Sequence, residues 1–245
     1  MRGLVGICAA GLVALGATRA GAVVVFSDNF DEQTVPPVGE ILNDNSFVNF
    51  NVDGGGPGGT VDLLTSKNTW SLHGSGANTS GNFVDLDGSS NDGGFLQTKQ
   101  AFSFNAGDTV TLSIDVGGSE RMGTDTMYAG FLFSGIPDIT GVTTTNFNQP
   151  NQTPGQELLG FSQVGSSDPF QVFTISFVAT APGSVMALVG TTSKDNVGPL
   201  LDQLTVTDDP AADALVPEPA SWALMILGFG GVGSLLRRRR TEVFG

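Results

Sequence analysis

Between Val23 and Thr207 apolar residues recur with a period of two, not 3.6. In Phe170–Ala179 the residues Phe173, Ile175 and Phe177 share one side, and Val172, Thr174, Ser176 and Val178 the other. Such alternation predicts a strand with one buried face. Phe95–Phe104 and Thr109–Val116 read as a strand pair, with Asn105-Ala106-Gly107-Asp108 as the tight connection between them. Further strands are predicted at Val23–Phe26, Phe47–Val52, Thr60–Leu64, Lys67–Leu72, Asn82–Leu86, Thr126–Phe133, Val185–Gly190 and Leu200–Thr207. Gly54-Gly55-Gly56-Pro57-Gly58-Gly59 is a loop, and Pro137 to Glu157 is a long polar connection rich in Thr, Asn and Gln. About ten short strands between turn residues, with no helical heptad, predict an all-β chain. Its residues 23–215 form one β-sandwich domain of jelly-roll-like form.

The pattern changes at both ends. Arg2, the apolar stretch Leu4 to Ala17 and the small residues Ala20-Gly21-Ala22 have the order of a secretory signal peptide over residues 1–22, with the mature start at Gly21 or Val23. At the other end, Val216-Pro217-Glu218-Pro219 precedes the uncharged run Ala220 to Leu236, and Arg237 to Arg240 follow. As a helix, residues 220–236 would span roughly 25 Å, at the short limit for a bilayer core of about 30 Å. The expectation is a transmembrane helix, with Trp222 at one interface, the arginines on the cytoplasmic side and the sandwich outside.

This tail resembles the PEP-CTERM sorting signal in its Pro-Glu-Pro-x-x-Trp-Ala form. Pro217, Glu218, Pro219, Trp222 and Ala223 carry the signature, Gly228 to Gly231 lie in the glycine-bearing helix, and Arg237, Arg238, Arg239 and Arg240 form the basic end. Five further residues, Thr241 to Gly245, extend past the pattern. The resemblance implies processing by an exosortase, a membrane cysteine protease-transpeptidase, in a Gram-negative bacterium that makes extracellular polysaccharide. It implies passage through the inner membrane, then residence at the envelope surface or in the extracellular matrix. A looser resemblance, to extracellular galactose-binding-like jelly rolls, rests on Gly81 to Gly88, Gly93 to Thr98, Ala106 to Leu112 and Gly198 to Val206, with an opening segment Asp28 to Glu32. The usual aromatic of the closing region is absent, which supports the fold more than sugar binding.

Charge narrows the function classes. Of the chain's 24 Asp and Glu, 22 fall between Val23 and Leu215, against four basic residues, Lys67, Lys99, Arg121 and Lys194, for a body charge of about −18. A nucleic-acid partner is excluded on that ground. The single cysteine, Cys8, lies in the signal segment, so the mature chain has no disulfide, cysteine zinc site or thiol nucleophile.

Asp28, Asp31 and Glu32 follow the first strand, and Asp202 lies in the last. The ends of a sandwich are commonly neighbours, so these four could converge on a structural Ca²⁺, which takes six to eight oxygen ligands. Solvated surface charge is the alternative. Asp85, Asp87 and Asp92, around Gly88-Ser89-Ser90, form a second acidic group without EF-hand spacing. The 17 phenylalanines against one tyrosine point to an aromatic core. Trp70 and Tyr128 are the candidate ligand-binding aromatics, since each joins a large apolar face to a polar handle. Tyr128 also reads as a core residue with Phe131. His73, the single histidine, sits in a turn without a Gly-x-Ser-x-Gly elbow. These readings favour an exported, exosortase-processed, non-enzymatic surface or matrix protein. A carbohydrate-binding module in extracellular polysaccharide is the alternative, and a secreted hydrolase stands third.

Overall fold

Alternating segments became strands because each buries one row of side chains and leaves the other to solvent or a covering loop. The structure, a computed structural model, describes residues 21–54, 59–72, 81–90, 92–121, 123–148, 150–152, 156–211 and 225–229. Residues Gly21–Ala211 form a compact unit. Its strands are β1 (Val23–Asp28), β2 (Glu40–Asp44), β3 (Phe50–Gly54), β4 (Val61–Thr65), β5 (Asn82–Asp85), β6 (Gly94–Thr98), β7 (Phe102–Phe104) and β8 (Thr109–Gly117). They continue with β9 (Thr124–Phe133), β10 (Ile139–Thr145), β11 (Asn151–Gln152), β12 (Glu157–Gly165), β13 (Gln171–Ala179), β14 (Gly183–Thr191) and β15 (Leu200–Asp209).

Two sheets result. The first runs β10-β13-β8-β15-β5-β4-β2 with β1 also on β15, and the second runs β11-β12-β9-β14-β6-β3 with β7 also on β14. All strand pairs are antiparallel. Within these orders, β5-β15-β8-β13 lies in one sheet and β6-β14-β9-β12 in the other, with the chain crossing between them after β5, β7, β8, β12, β13 and β14. That is the eight-strand wiring of a jelly roll. The inner faces share one core, in which Phe177 of β13 packs edge-to-face on Phe104 and Phe131 and at a tilt on Phe133 of the second sheet, with ring centres 5.1–5.4 Å apart. A smaller cluster, Leu64, Leu72, Phe83, Val197 and Leu200, is buried apart from it.

Several expectations need correction. Residues 67–72 do not form a strand but a turn-rich loop, because the Asn68 side chain takes over the backbone hydrogen bonding. Its amide donates to the carbonyls of Thr65 (2.8 Å) and Leu72 (2.7 Å), and its oxygen accepts from the N–H of Trp70 (3.1 Å) and Leu72 (3.0 Å). Phe95–Phe104 is two strands, β6 and β7, which pair with different parts of β14. The segment 137–157 holds β10 and β11, and β2 and β12 were not anticipated.

The transmembrane helix expected over residues 220–236 is also corrected. Its described part is a helical run at residues 225–229. No helix among the described residues is long and apolar enough to cross a membrane. The expected transient stay in the inner membrane rested on that span and falls with it. The signal peptide and the rest of the tail lie outside the described residues.

Candidate functional site

On the outer side of β4 and β5 two buried aspartates stand directly opposite each other, Asp62 and Asp85. Facing like charges on paired strands are unfavourable unless other groups compensate. Asp62 is held by the backbone N–H of Asn43 (2.7 Å) and Ser89 (3.2 Å) and by the Ser89 hydroxyl (2.7 Å). Asp85 Oδ1 accepts from the N–H of Asp87 (3.0 Å) and Gly198 (2.8 Å), while its Oδ2 is buried without a partner. Burial pushes the Asp85 carboxyl well above the usual carboxylate range, against those two backbone donors, and Asp62 and Asp87 add repulsion.

Asp87 does a related job. Its Oδ2 accepts from the N–H of Asp195 (2.8 Å) and Asn196 (3.1 Å), and burial raises its carboxyl too. Together Asp85 and Asp87 fasten the 195–198 loop over the end of β5. At Gly198 a Cβ would stand 2.5 Å from the Asp87 nitrogen, so the approach needs glycine. At the start of β9, Asp125 is pushed up to about 6, by burial first and then by Asp195 and Asp87, against a hydrogen bond from Ser193.

Loops 66–72 and 195–198 wall a cleft of about 270 Å³ above the smaller apolar cluster. Trp70 stands at its side, 46% exposed, with its backbone N–H bonded to Asn68. The Arg121 guanidinium lies 5.9 Å from the centre of the indole ring. Leu42 and Leu72 add apolar wall, and Asp62 and Asp85 add carboxyl groups.

The second candidate aromatic, Tyr128, lies elsewhere, on the outward side of β9. It pairs in register with Phe161 of β12 and Gly190 of β14, and Gly190 pairs with Phe95 of β6, so one row crosses four strands. The Tyr128 and Phe161 ring centres are 5.9 Å apart. Burial, then Glu157, raises the phenol to about 12. Phe131 is buried in the core, on the opposite side of the strand.

The four calcium candidates meet only in part. β1 pairs with β15, so Asp28 lies opposite Leu204, two residues from Asp202. Asp28 accepts from the Phe30 N–H (2.7 Å) and the Asn49 amide (2.8 Å). Asp31 accepts from the Asn82 N–H (2.7 Å) and the Asn29 amide (2.7 Å), and Glu32 is exposed. Asp202 is pushed up to about 6 by burial, then by Asp115, which the sequence pattern did not single out, and by Asp31. In the second acidic group Asp85 and Asp87 are committed to backbone N–H groups, and Asp92 forms an exposed ion pair with Lys194 at 3.0 Å. Among the described residues no group of three or more His, Cys, Asp or Glu could hold a metal ion. His73 and the sorting residues Pro217 to Ala223 and Arg237 to Arg240 lie outside the described residues.

Comparison with known families adds one result. The model described as the PEP-CTERM protein-sorting motif matches residues 215–240. The chain carries a PEP-CTERM-like sorting motif. That stretch takes in Pro217, Glu218, Pro219, Trp222, Ala223 and the four arginines. No curated protein and no solved structure matches the chain, so the resemblance to galactose-binding-like modules has no counterpart there.

Proposed function

We propose that this chain is an exosortase substrate whose β-sandwich serves, without catalysis of its own, at the cell surface or in the extracellular matrix. The observation that carries this reading is the PEP-CTERM match at residues 215–240, downstream of a sandwich that ends at Asp209. Pro217 and Pro219 lack N–H groups and fix φ, and each restrains the residue before it to extended backbone. Such a sequence favours the extended backbone that proteases bind. The lopsided body charge of about −18 suits a solvated, exposed protein and repels nucleic acid.

Intact-mass analysis of the mature protein tests the reading, in the parent strain and in one lacking its exosortase. The expected result is loss of all residues beyond the Pro217-Glu218-Pro219 region in the parent, and their retention in the deletion strain and in a Glu218→Ala variant. Recovery of Arg237 to Arg240 on the surface form in the parent would refute processing.

A further inference from the structure

Asp85 combines two properties that rarely coincide in a resting side chain. It is 1% exposed with an unpartnered oxygen, and it lines an open cleft. Its other oxygen is pinned by two backbone N–H groups, so the carboxyl cannot turn away to find a new partner. A buried polar atom left unsatisfied carries its full desolvation penalty, and a bound group that supplies the missing hydrogen bond recovers it. We propose that the cleft binds a neutral pyranose unit of a glycan, with its apolar ring face against Trp70 and a ring hydroxyl bonded to Asp85 Oδ2.

Four observations select that ligand class. An exposed indole on a loop whose backbone is bonded to Asn68 offers a flat surface, which suits the C–H face of a sugar ring. Anionic ligands are disfavoured by Asp62 and Asp195 around the cleft and by the body charge of about −18. A cation gains little from a carboxyl that burial drives toward its neutral form, whereas a hydroxyl can accept from that form or donate to the ionised one. The volume, about 270 Å³, lies just below the roughly 300 Å³ lower end of small-molecule pockets, so it suits a single ring. Arg121, over the indole ring, supplies the N–H donors that the carboxyl groups lack.

The proposal stands apart from the sorting reading, because it uses no residue of the tail. Isothermal titration of the purified chain tests it, with oligosaccharides of glucose, galactose and mannose beside a polyuronate and a glucosamine oligomer. Saturable binding of at least one neutral oligosaccharide is expected, weakened about tenfold or more by Trp70→Ala and by Leu42→Trp, which fills the cleft. Tyr128→Ala should leave the affinity unchanged. Trp70 is exposed, so its variant should melt with the parent, and thermal unfolding of each variant separates lost binding from lost fold. The proposal is overturned if no neutral oligosaccharide binds, if the polyuronate or the glucosamine oligomer is preferred, or if Tyr128→Ala removes binding while Trp70→Ala does not.

Discussion

The two sheets share an inner core and differ on the outside. On the first sheet the outward positions of the central strands carry hydroxyls in register. Thr145, Thr174, Ser113, Thr205 and Ser27 form one row across five strands, and Thr143, Ser176, Thr111 and Thr207 another. Some are bonded to each other, Thr143 to Ser176 at 2.7 Å and Ser27 to Thr205 at 3.2 Å. On the second sheet one outward row is aromatic and glycine, although Gln97, Thr126 and Gln163 lie on the same side. Its row runs Phe95, Gly190, Tyr128 and Phe161, and the neighbouring outward Leu188 is 6% exposed although it belongs to neither core cluster. Strict alternation marks a sheet that gives one side to water; the apolar run Met127 to Phe133 breaks that alternation and leaves Tyr128 and Leu132 half-buried on the outward side.

That contrast breaks most sharply at Gly190. A Cβ there would stand 2.5 Å from Phe95 Cβ and 2.8 Å from the Tyr128 hydroxyl and the Gly94 carbonyl. Gly190→Leu should destabilise by about 1–3 kcal/mol in urea unfolding, as overpacking does. An equal stability in parent and variant would mean that the aromatic row is loose.

A smaller effect comes from acids on each sheet. Asp202 of the first and Asp125 of the second are both raised to about 6, chiefly by burial. Unfolded aspartate titrates near 3.9. Between those values the folded chain keeps protons that the unfolded chain has released, so stability falls as pH rises through that window and stays lower above it. Both groups are partly solvated, which screens the effect. The melting temperature should be about 2–4 °C higher at pH 4.5 than at pH 7.5, and Asp202→Asn together with Asp125→Asn should reduce the difference, leaving the share of the other buried aspartates such as Asp85. A rise in melting temperature from pH 4.5 to 7.5 would contradict the burial of these groups.

The least effect is expected on the hydroxyl face. Ser113→Val replaces a partly exposed hydroxyl with a good strand former, and should change stability by no more than about 0.5 kcal/mol. A larger loss would show that the hydroxyl rows act as a bonded network.

The same contrast explains what could be read from the chain. β8 and β13 were legible because their alternation is regular. β12 was not, because Gly160 and Ser162 interrupt its apolar positions and a stretch of turn residues precedes it. Residues 67–72 misled because apolar spacing carries no trace of a side chain such as Asn68 satisfying the backbone itself. Trp70 stood out by rarity, and Asp85 and Asp87 by proximity in sequence, though as surface ligands and not as buried ties. Asp62, Arg121 and Asp195 could not have been grouped with them. The pairing of β4 with β5 and the return of the chain into β15 bring those distant positions together, and nothing local encodes it.

The place of β15 has a mechanical consequence. Along one flank it is bonded to β8 from Leu200 to Asp209, and along the other to β5 and then to β1. A pull on the chain beyond Asp209 runs along the axis of this strand. It therefore loads the cross-strand hydrogen bonds of both flanks in shear, so many must fail together instead of opening one after another like a zip. Resistance to such a pull is set by the unfolding barrier rather than by equilibrium stability. A force applied along the axis of β15 is thus met by the bonds of both its flanks at once.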